Sequence, residues 1–242
     1  MVSHSSTERL EFVRRMAAAL GFCACGVTTA QPLDDECITR YRHWLQCGKA
    51  GEMDYLAADV EKRFYPKKKF PLAKSVIVLA MSFAPSQIST PNPCEGYICL
   101  YARGRDYHKV LKKRAEKLCT QMRDNFGTFD YKICVDTAPV AERSLAVRAG
   151  LGFVGKNCLL IIPGSGSMVV LCEIFCSLEI QSTQSDEKFS CGECRKCLDA
   201  CPTNALNGLG ELDASRCINA LTIEYDGKIP QKIAEKMGGR IF

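Results

Sequence analysis

The sequence has no long hydrophobic run, and this lack argues against a helix that crosses a membrane. No apolar stretch approaches the roughly 18 residues that such a helix needs. The longest runs, Val76–Met81 and Met168–Leu171, predict short buried strands instead. Charged residues interrupt the N-terminal stretch MVSHSSTERLEFVRRMAAALG, which therefore lacks the apolar core of a secretory signal peptide. We expect a cytoplasmic protein that does not associate with a membrane.

A Walker nucleotide-binding loop and long internal repeats are also lacking. No Walker loop is present, and we expect neither a P-loop nor a nicotinamide-binding Rossmann site. The composition is that of an ordinary globular protein, with 47% hydrophobic and 24% charged residues. The reaction chemistry must therefore come from other groups in the chain.

Cysteine is abundant, with 16 residues in a chain of 242. Disulfide-rich scaffolds are usually short and secreted, which does not suit a chain of this length without a signal peptide. Most of the cysteines are scattered in apolar surroundings, where thiols act as small hydrophobic side chains. A reduced compartment with one clustered metal site explains this distribution better than a disulfide framework.

The net charge is +5, with basic groups at Lys67–Lys69 and Lys109–Arg114. Basic surfaces of this kind suit contact with nucleic acid. A solvated helix face is the commoner explanation of such charges. Charge alone does not decide between these interpretations.

Hydrophobic periodicity predicts a mixed helix and sheet domain of the α/β (α+β) class, followed by a small module. We place the first domain at 1–185 and the module at 186–242, with a polar linker between them. Helices are predicted at 7–20, 36–47, 106–126 and 139–149. Strands are predicted at 75–83 and 130–137, with two more in 158–175 joined by a Pro-Gly-Ser-Gly turn.

The module begins with CGECRKCLDACP, four cysteines at the spacing C-x2-C-x2-C-x3-C-P. This is the spacing that bacterial ferredoxins use to hold iron–sulfur clusters. Zinc sites usually separate two C-x-x-C pairs by a longer loop, so the spacing disfavours zinc. The metal-ligand candidates are Cys191, Cys194, Cys197, Cys201 and, farther along, Cys217.

The cysteine count is short of what two clusters require. A [4Fe–4S] cluster takes four thiolates, and the fourth cysteine of such a run ligates the other cluster of a pair. Cys191, Cys194 and Cys197 would therefore bind a first cluster, and Cys201 and Cys217 a second. We expect an incomplete bacterial-ferredoxin-like module with up to two clusters, whose remaining ligands would lie beyond Phe242.

Two stretches of the first domain carry reactive side chains. YARGRDYHKVLKKR places Asp106, Tyr107 and His108 at the start of a predicted helix. VDTAPVAERSLAVRAGLGFVGKN places Asp136 at the end of a predicted strand. Asp136 could instead cap the helix that follows Pro139, and His108 could be an ordinary surface histidine.

These stretches, in this order and followed by the ferredoxin run and SRCINALTIE, resemble the epoxyqueuosine reductase family. The likeness covers nearly the whole chain and includes EKRFYP and KSVIVLAMSF. It implies a cobalamin-dependent, iron–sulfur enzyme that reduces epoxyqueuosine to queuosine in the anticodon loop of tRNA. The first domain would then bind cobalamin.

The resemblance also implies roles for individual residues. Asp136 matches the general acid of the family and would sit protonated in a desolvated pocket. His108 and Asp106 match further site residues that orient substrate or cofactor. The positions implied to contact the cofactor are Arg63, Cys99, Tyr107, Arg143, Lys156 and Asn157. Lys156 and Asn157 would lie where the glycine-rich turn meets the corrin ring.

Expected partners are tRNA and an external electron donor such as a flavodoxin or a ferredoxin, and the chain is expected to be a monomer. One alternative is a corrinoid reductase like the reductive dehalogenases, which also combine cobalamin with two clusters. Another is an iron–sulfur electron-transfer protein without catalysis of its own. Cobalamin binding distinguishes the reductases from the electron-transfer protein.

Overall fold

The computed structural model describes residues 4–87, 95–185 and 189–242. Its helices are α1 Ser6–Ala19, α2 Asp35–Gln46, α3 Val60–Phe64, α4 Pro66–Lys69, α5 Tyr107–Phe126, α6 Glu142–Arg148, α7 Lys196–Asp199, α8 Ile218–Ile223 and α9 Gln231–Met237. Short 3-10 turns occupy Asp54–Leu56, Leu100–Ala102 and Ala214–Arg216. Within these ranges, no helix is both long and apolar enough to span a bilayer.

The strands are β1 Ala24–Thr29, β2 Ser75–Ser82, β3 Tyr131–Cys134, β4 Phe153–Val154, β5 Leu160–Ile161 and β6 Val169–Cys176. Four of them form a sheet in the order β1-β2-β6-β3, and every neighbouring pair is antiparallel. The predicted mixture of helix and sheet is confirmed, and the antiparallel pairing makes the α+β description the accurate one.

Helices cover both faces of this sheet because its strands are apolar on both sides. On one face, Ile77 and Leu79 of β2 pack with α1 and α5. On the other face, Val76 and Val78 pack with α6, α3 and the start of α2. The sheet is therefore a buried central layer, and its alternating residues belong to two separate cores.

The main helices and the central strand agree with the sequence predictions, whereas two strand predictions need correction. Strand β1 was missed because its sequence ACGVTT is short, contains alanine and glycine, and has a single large aliphatic residue. The two strands predicted in 158–175 exist but do not pair with each other. β5 pairs with β4, whereas β6 enters the sheet beside β2 and β3.

The cysteine-bearing segment is docked onto the first domain at several points. The Trp44 indole N–H on α2 donates to the carbonyl of Leu212 at 2.6 Å, and Lys49 pairs with Glu211. The backbone N–H of Ala214 donates to the Lys49 carbonyl at 2.8 Å. Residues 186–188 of the expected linker lie outside the described residues, so the predicted domain division remains a prediction.

Candidate functional site

The start of α5 brings Asp106 and His108 together. Asp106 is the N-cap of α5, and its carboxylate accepts the His108 backbone N–H at 3.0 Å. The same carboxylate oxygen lies 2.9 Å from His108 Nδ1. One aspartate thus satisfies the helix terminus and orients the imidazole ring.

Asp136 completes this cluster from a different part of the chain. It follows β3, and its Oδ2 lies 3.3 Å from Nε2 of His108. Its φ of 53° places it in the left-handed region, which non-glycine residues occupy rarely. The alternative role as a helix cap is wrong, because α6 begins at Glu142 with Ala141 as its N-cap.

The two carboxylates that flank His108 set its charge. Burial alone would lower the pKa of His108, but the hydrogen bonds and charges of Asp106 and Asp136 outweigh this effect and raise it. The hydrogen bond from His108 lowers the pKa of Asp106 in turn. The imidazole is thus biased towards its protonated form and can donate to both aspartates.

The expected desolvated pocket does not surround the Asp136 carboxyl group in this structure, since its side chain is 58% exposed. Burial instead affects the neighbouring Glu142, whose pKa it raises to about 7. The backbone N–H of Asp136 donates to Glu142 Oε1 at 2.8 Å. Glu142 in turn faces Glu173 on β6, which is completely buried.

Aromatic rings border the cluster on one side. The Tyr107 ring stacks on the His108 ring with 4.0 Å between centroids, and Tyr101 meets Tyr107 edge-on. Burial, together with the charge of Asp136, raises the pKa of the Tyr107 phenol above its ordinary value. The Tyr107 hydroxyl is therefore a neutral group that can donate a hydrogen bond.

Lys156 lies against the cysteine loop. Its Nζ donates to the carbonyls of Gly192 at 2.7 Å and Cys194 at 3.1 Å. Its backbone N–H approaches the sulfur of Cys191 at 3.4 Å. Asn157 accepts the Leu159 backbone N–H at 3.1 Å and so shapes the turn between β4 and β5.

The glycines just before Lys156 have the G-x-G-x-x-G spacing of dinucleotide-binding loops, from Gly150 to Gly155. In those loops the motif follows a strand and opens a helix. Here it follows α6 and leads into β4, so the local structure is the reverse of the one that binds dinucleotides. Gly152 is required by packing, because a Cβ atom there would collide with the carbonyl of Ile161.

The remaining predicted contact residues lie around the cluster rather than in it. The Arg143 guanidinium donates to the carbonyl of Cys158. Arg63 accepts the Ala141 backbone N–H at 3.0 Å through its carbonyl and places its guanidinium 5.6 Å from the centre of the Tyr41 ring. Arg63 therefore supports the loop that carries Asp136, whereas Arg143 supports the turn between β4 and β5.

Cys99 lies beside the C-terminal segment. Its backbone N–H donates to the carbonyl of Phe242 at 2.8 Å, and burial raises the pKa of its thiol. The adjacent Tyr97 N–H donates to the carbonyl of Gly239 at 2.6 Å. Residues 97–99 and 239–242 thus run side by side near Tyr101, whose ring centroid lies 6.2 Å from that of Phe242.

The cysteine loop has the donor chemistry of an iron–sulfur site. Burial would raise the pKa of the Cys201 thiol, but the Ala205 N–H and neighbouring donors outweigh it and lower that pKa. Across the described ranges, no three His, Cys, Asp or Glu side chains converge closely enough to bind one metal ion. An iron–sulfur cluster bonds each thiolate to a different iron, so it spaces its ligands more widely than one ion does. The C-x2-C-x2-C-x3-C-P spacing of the loop suits such a cluster better than zinc.

Comparisons with known proteins agree with this chemistry. The family model described as "Epoxyqueuosine reductase QueG, DUF1730" matches residues 63–137, and the model described as "4Fe-4S double cluster binding domain" matches residues 190–242. The epoxyqueuosine reductase of Cyclobacterium marinum is 37% identical over 232 residues, covering 96% of this chain and 74% of that protein. The chain belongs to the epoxyqueuosine reductase family. The predicted resemblance is thereby confirmed.

Other members of the family extend beyond the matched region. The epoxyqueuosine reductase of Pseudomonas aeruginosa is 38% identical over 229 residues, covering 92% of this chain but 62% of that protein. A crystal structure of epoxyqueuosine reductase with an epoxyqueuosine-modified tRNA-Tyr stem loop superposes with a TM-score of 0.85 and 34% identity. That match covers 96% of this chain and 61% of the other. This chain thus spans about three fifths of several of its relatives.

Two residues of the site, Glu142 and Glu173, were missed in the sequence. Glu142 lies within the motif that carries Asp136 but resembles an ordinary residue of a helix's first turn. Glu173 gave a clearer signal, because it is a lone acid in the apolar strand VVLCEIFC. Buried acids are rare unless they are paired, so a charge inside such a strand indicates a partner.

Proposed function

We propose that this protein reduces epoxyqueuosine to queuosine in tRNA, using cobalamin and [4Fe–4S] clusters. The observation that carries the proposal is the Asp106–His108–Asp136 cluster, assembled within a chain that belongs to the epoxyqueuosine reductase family. The cysteine loop held by Lys156 supports an electron-transfer role for the module. The known complex of a relative with a modified tRNA stem loop supports tRNA as the substrate.

The reaction requires proton donors as well as electrons. The epoxide takes up two electrons and two protons, loses its oxygen as water and leaves an alkene. Cobalamin, when bound, supplies the reducing centre, which receives electrons through the clusters. Opening the epoxide develops negative charge on oxygen, and a positioned acid stabilises that charge by protonation.

In this proposal Asp136 delivers a proton to the epoxide oxygen and His108 replenishes it. The raised pKa of His108 keeps a proton available on the ring, and its Nε2 lies 3.3 Å from Asp136. Asp106 holds the ring in place through Nδ1. The Tyr107 hydroxyl would serve as a further neutral donor beside the substrate.

Cofactor contacts would come from the rim of this cluster. The turn between β4 and β5 leaves the apolar side chains of Val154 and Leu159 exposed, a surface that suits a flat macrocycle. Asn157 lies in this turn, and Arg143 reaches it from α6 through the Cys158 carbonyl, so both offer polar groups for its amides, while Arg63 and Cys99 are outer candidates. Lys156 is assigned to the cysteine loop instead of the corrin, because both of its Nζ contacts lie there.

The module would carry the clusters on Cys191, Cys194 and Cys197, and on Cys201 and Cys217. Further thiolates would complete both clusters, and a flavodoxin or ferredoxin would supply electrons. We propose a cytoplasmic monomer whose basic groups contact the tRNA backbone. The first domain, 1–185, would hold cobalamin, and the segment 186–242 would hold the clusters.

The decisive experiment is conversion of an epoxyqueuosine-modified tRNA stem loop by the full chain, reconstituted anaerobically with iron, sulfide, cobalamin and a reductant. Mass spectrometry should show the loss of one oxygen atom from the modified base. Asp136→Asn should lower turnover by roughly 10²- to 10⁴-fold, the usual contribution of a general acid. Cobalamin should remain bound, as its visible spectrum reports.

Asp124→Asn is the matched control, since Asp124 is an exposed aspartate on α5, and it should leave turnover unchanged. Turnover that survives Asp136→Asn would remove the acid role from that residue. Absence of conversion by the unaltered chain with cobalamin bound would overturn the proposed function for this chain.

A further inference from the structure

Glu173 is a carboxylic acid in the middle of the central sheet. It is 0% exposed, and alternation along β6 directs it to the α6 face together with Phe175. The residues opposite it are Val78 on β2 and Cys134 on β3. Neither supplies a charge, since burial raises the pKa of the Cys134 thiol to about 11.

Within the described residues, no N–H or O–H of another residue has hydrogen-bond geometry to a carboxyl oxygen of Glu173, and the one backbone group that lowers its pKa is its own N–H. The polar group that faces it is another acid, the carboxyl group of Glu142 at the start of α6. Two ionised carboxylates can only accept hydrogen bonds, so they cannot bond each other. A hydrogen bond between these two groups requires a proton on one of them.

The surrounding charges do not neutralise the pair. The nearest cation in sequence, Arg143, lowers the pKa of Glu142 through its charge, but burial outweighs this effect and the guanidinium donates its hydrogen bond to the Cys158 carbonyl. In the described part of the chain, neither glutamate forms an ion pair. Desolvation and mutual repulsion hold the pKa of Glu173 well above its ordinary range.

Further titratable groups face the pair from the neighbouring elements. Asp136 and Tyr107 act on Glu142 from the loop after β3 and from α5. Lys69 and Lys132 act on Cys134 from α4 and β3 rather than on the glutamates. The charge of Asp136 is negative and opposes ionisation of both glutamates.

Glu142 also makes the contact that matters for the site. Its Oε1 accepts the backbone N–H of Asp136 at 2.8 Å. Asp136 has a left-handed backbone, which costs energy for a residue with a side chain and must be held by its surroundings. This hydrogen bond ties the strained turn to half-buried Glu142 and through it to buried Glu173, and the turn directs the Asp136 side chain to His108.

We propose that Glu142 and Glu173 share one proton and together position Asp136, as a buried support for the cluster it forms with His108. Both glutamates are positioning residues, because their carboxyl groups act through Asp136. The effect of the two glutamates on catalysis rests on the proposed function. Their shared proton and their positioning of Asp136 do not depend on it. Loss of the shared proton would leave two like charges in contact, separate the carboxylates and release the Asp136 N–H.

The shared proton is tested by infrared spectroscopy of the full chain near pH 7.5, where carboxyl groups of ordinary pKa are ionised. The unaltered protein should show the carbonyl band of a protonated carboxylic acid. Glu173→Gln should abolish this band, while Glu11→Gln, a matched change at an exposed glutamate on α1, should leave it. Absence of the band from the unaltered protein would overturn the proposal without any variant.

The hold on Asp136 is tested by amide hydrogen exchange. The Asp136 amide should be protected in the unaltered protein, and Glu142→Ala should speed its exchange by about tenfold or more. Glu142→Gln should retain most of the protection, because its amide oxygen can accept from Asp136 while its NH2 group donates to Glu173. An equal acceleration at Ile133 in β3 would mean general destabilisation and would overturn the positioning role.

The pH dependence of turnover then links the pair to the reaction. Turnover of the unaltered protein should fall at alkaline pH, and Glu173→Gln, whose side chain cannot ionise, should move or remove that fall. If turnover of Glu173→Gln falls at the same alkaline pH as that of the unaltered protein, the glutamate pair does not affect catalysis. If the chain shows no turnover, the proposed function fails. The infrared and exchange measurements still test whether Glu142 and Glu173 share a proton and position Asp136.

Discussion

At the scale of single residues, the candidate site depends on how each side chain is charged. His108 lies between two aspartates and holds a proton more tightly than a free imidazole. Glu142 and Glu173 lie where burial disfavours ionisation. The pKa of Asp106 is lowered, whereas those of Glu142, Glu173 and His108 are raised, all within one small region. Such divergence is typical of sites that move protons.

Asp106 both raises the pKa of His108 and caps α5, and two substitutions at Asp106 distinguish these roles. Asp106→Asn keeps a capping oxygen but removes the charge, so it should lower the pKa of the His108 ring towards 6.5, as measured by NMR titration. Asp106→Ala should lower that pKa too and should also cost about 0.5–2 kcal/mol in unfolding free energy through loss of the cap. An unchanged titration in Asp106→Asn would contradict the assignment of the raised pKa to this aspartate.

The same pKa shift has a defined effect on stability. Because the folded-state pKa of His108 is raised, its stabilising contribution is fully present below the unfolded value of about 6.5 and is lost as pH rises through the folded value. The ring is 37% exposed, so solvent screening keeps the effect below about 1 kcal/mol. Asp106→Asn should flatten this part of the stability profile.

At the scale of elements, α6 connects the site to the sheet. Its first residue, Glu142, contacts the Asp136 turn, and its apolar residues Leu145 and Ala146 are buried against β2 and β6. Strand β6 contributes Glu173 beneath it. The geometry of the Asp136 turn therefore depends on how firmly this short helix is packed.

Leu145→Ala should remove a well-packed side chain from beneath α6. Leu145 is 1% exposed, so the change should cost about 2–5 kcal/mol in unfolding free energy, as measured by denaturant titration. Val147→Ala is the matched control on the same helix, where the side chain is 39% exposed, and its cost should be below about 1 kcal/mol. Equal costs for the two variants would contradict the packing described here.

At the scale of the whole molecule, two segments distant in sequence meet at Lys156. The turn between β4 and β5 belongs to the first domain, whereas Gly192 and Cys194 belong to the cysteine loop. Trp44 and Lys49 make a second set of contacts with the segment after that loop. These contacts fix the loop that would hold the clusters against the domain that would hold the reacting centre.

Lys156→Met should loosen this attachment without disturbing the sheet. Amides of the loop 191–201 should exchange hydrogen a few times faster, because two partly exposed hydrogen bonds contribute about 1 kcal/mol together. Amides of β2 should be unaffected. Lys112→Met, at an exposed lysine of α5, is the control and should leave the loop unchanged. Unchanged loop exchange in Lys156→Met would show that the lysine does not secure the loop.

The sequence by itself determined the features that depend on local pattern. The apolar periodicity of α1 and α5 predicts those helices, and the cysteine spacing predicts the cluster loop, because both signals arise from neighbouring residues. Asp106, His108 and Asp136 were also predicted as site residues, through the motifs that carry the resemblance. The resemblance predicted the family, and the 37% identity with the Cyclobacterium marinum enzyme confirms it.

Tertiary structure alone decided which distant residues meet. The contact of His108 with Asp136 joins residues 28 positions apart, and the pairing of Glu142 with Glu173 depends on α6 lying over β6. The antiparallel order β1-β2-β6-β3 likewise follows from how two apolar faces are covered at once. Local sequence cannot specify such contacts, because burial and the proton affinities that follow from it are properties of the assembled fold.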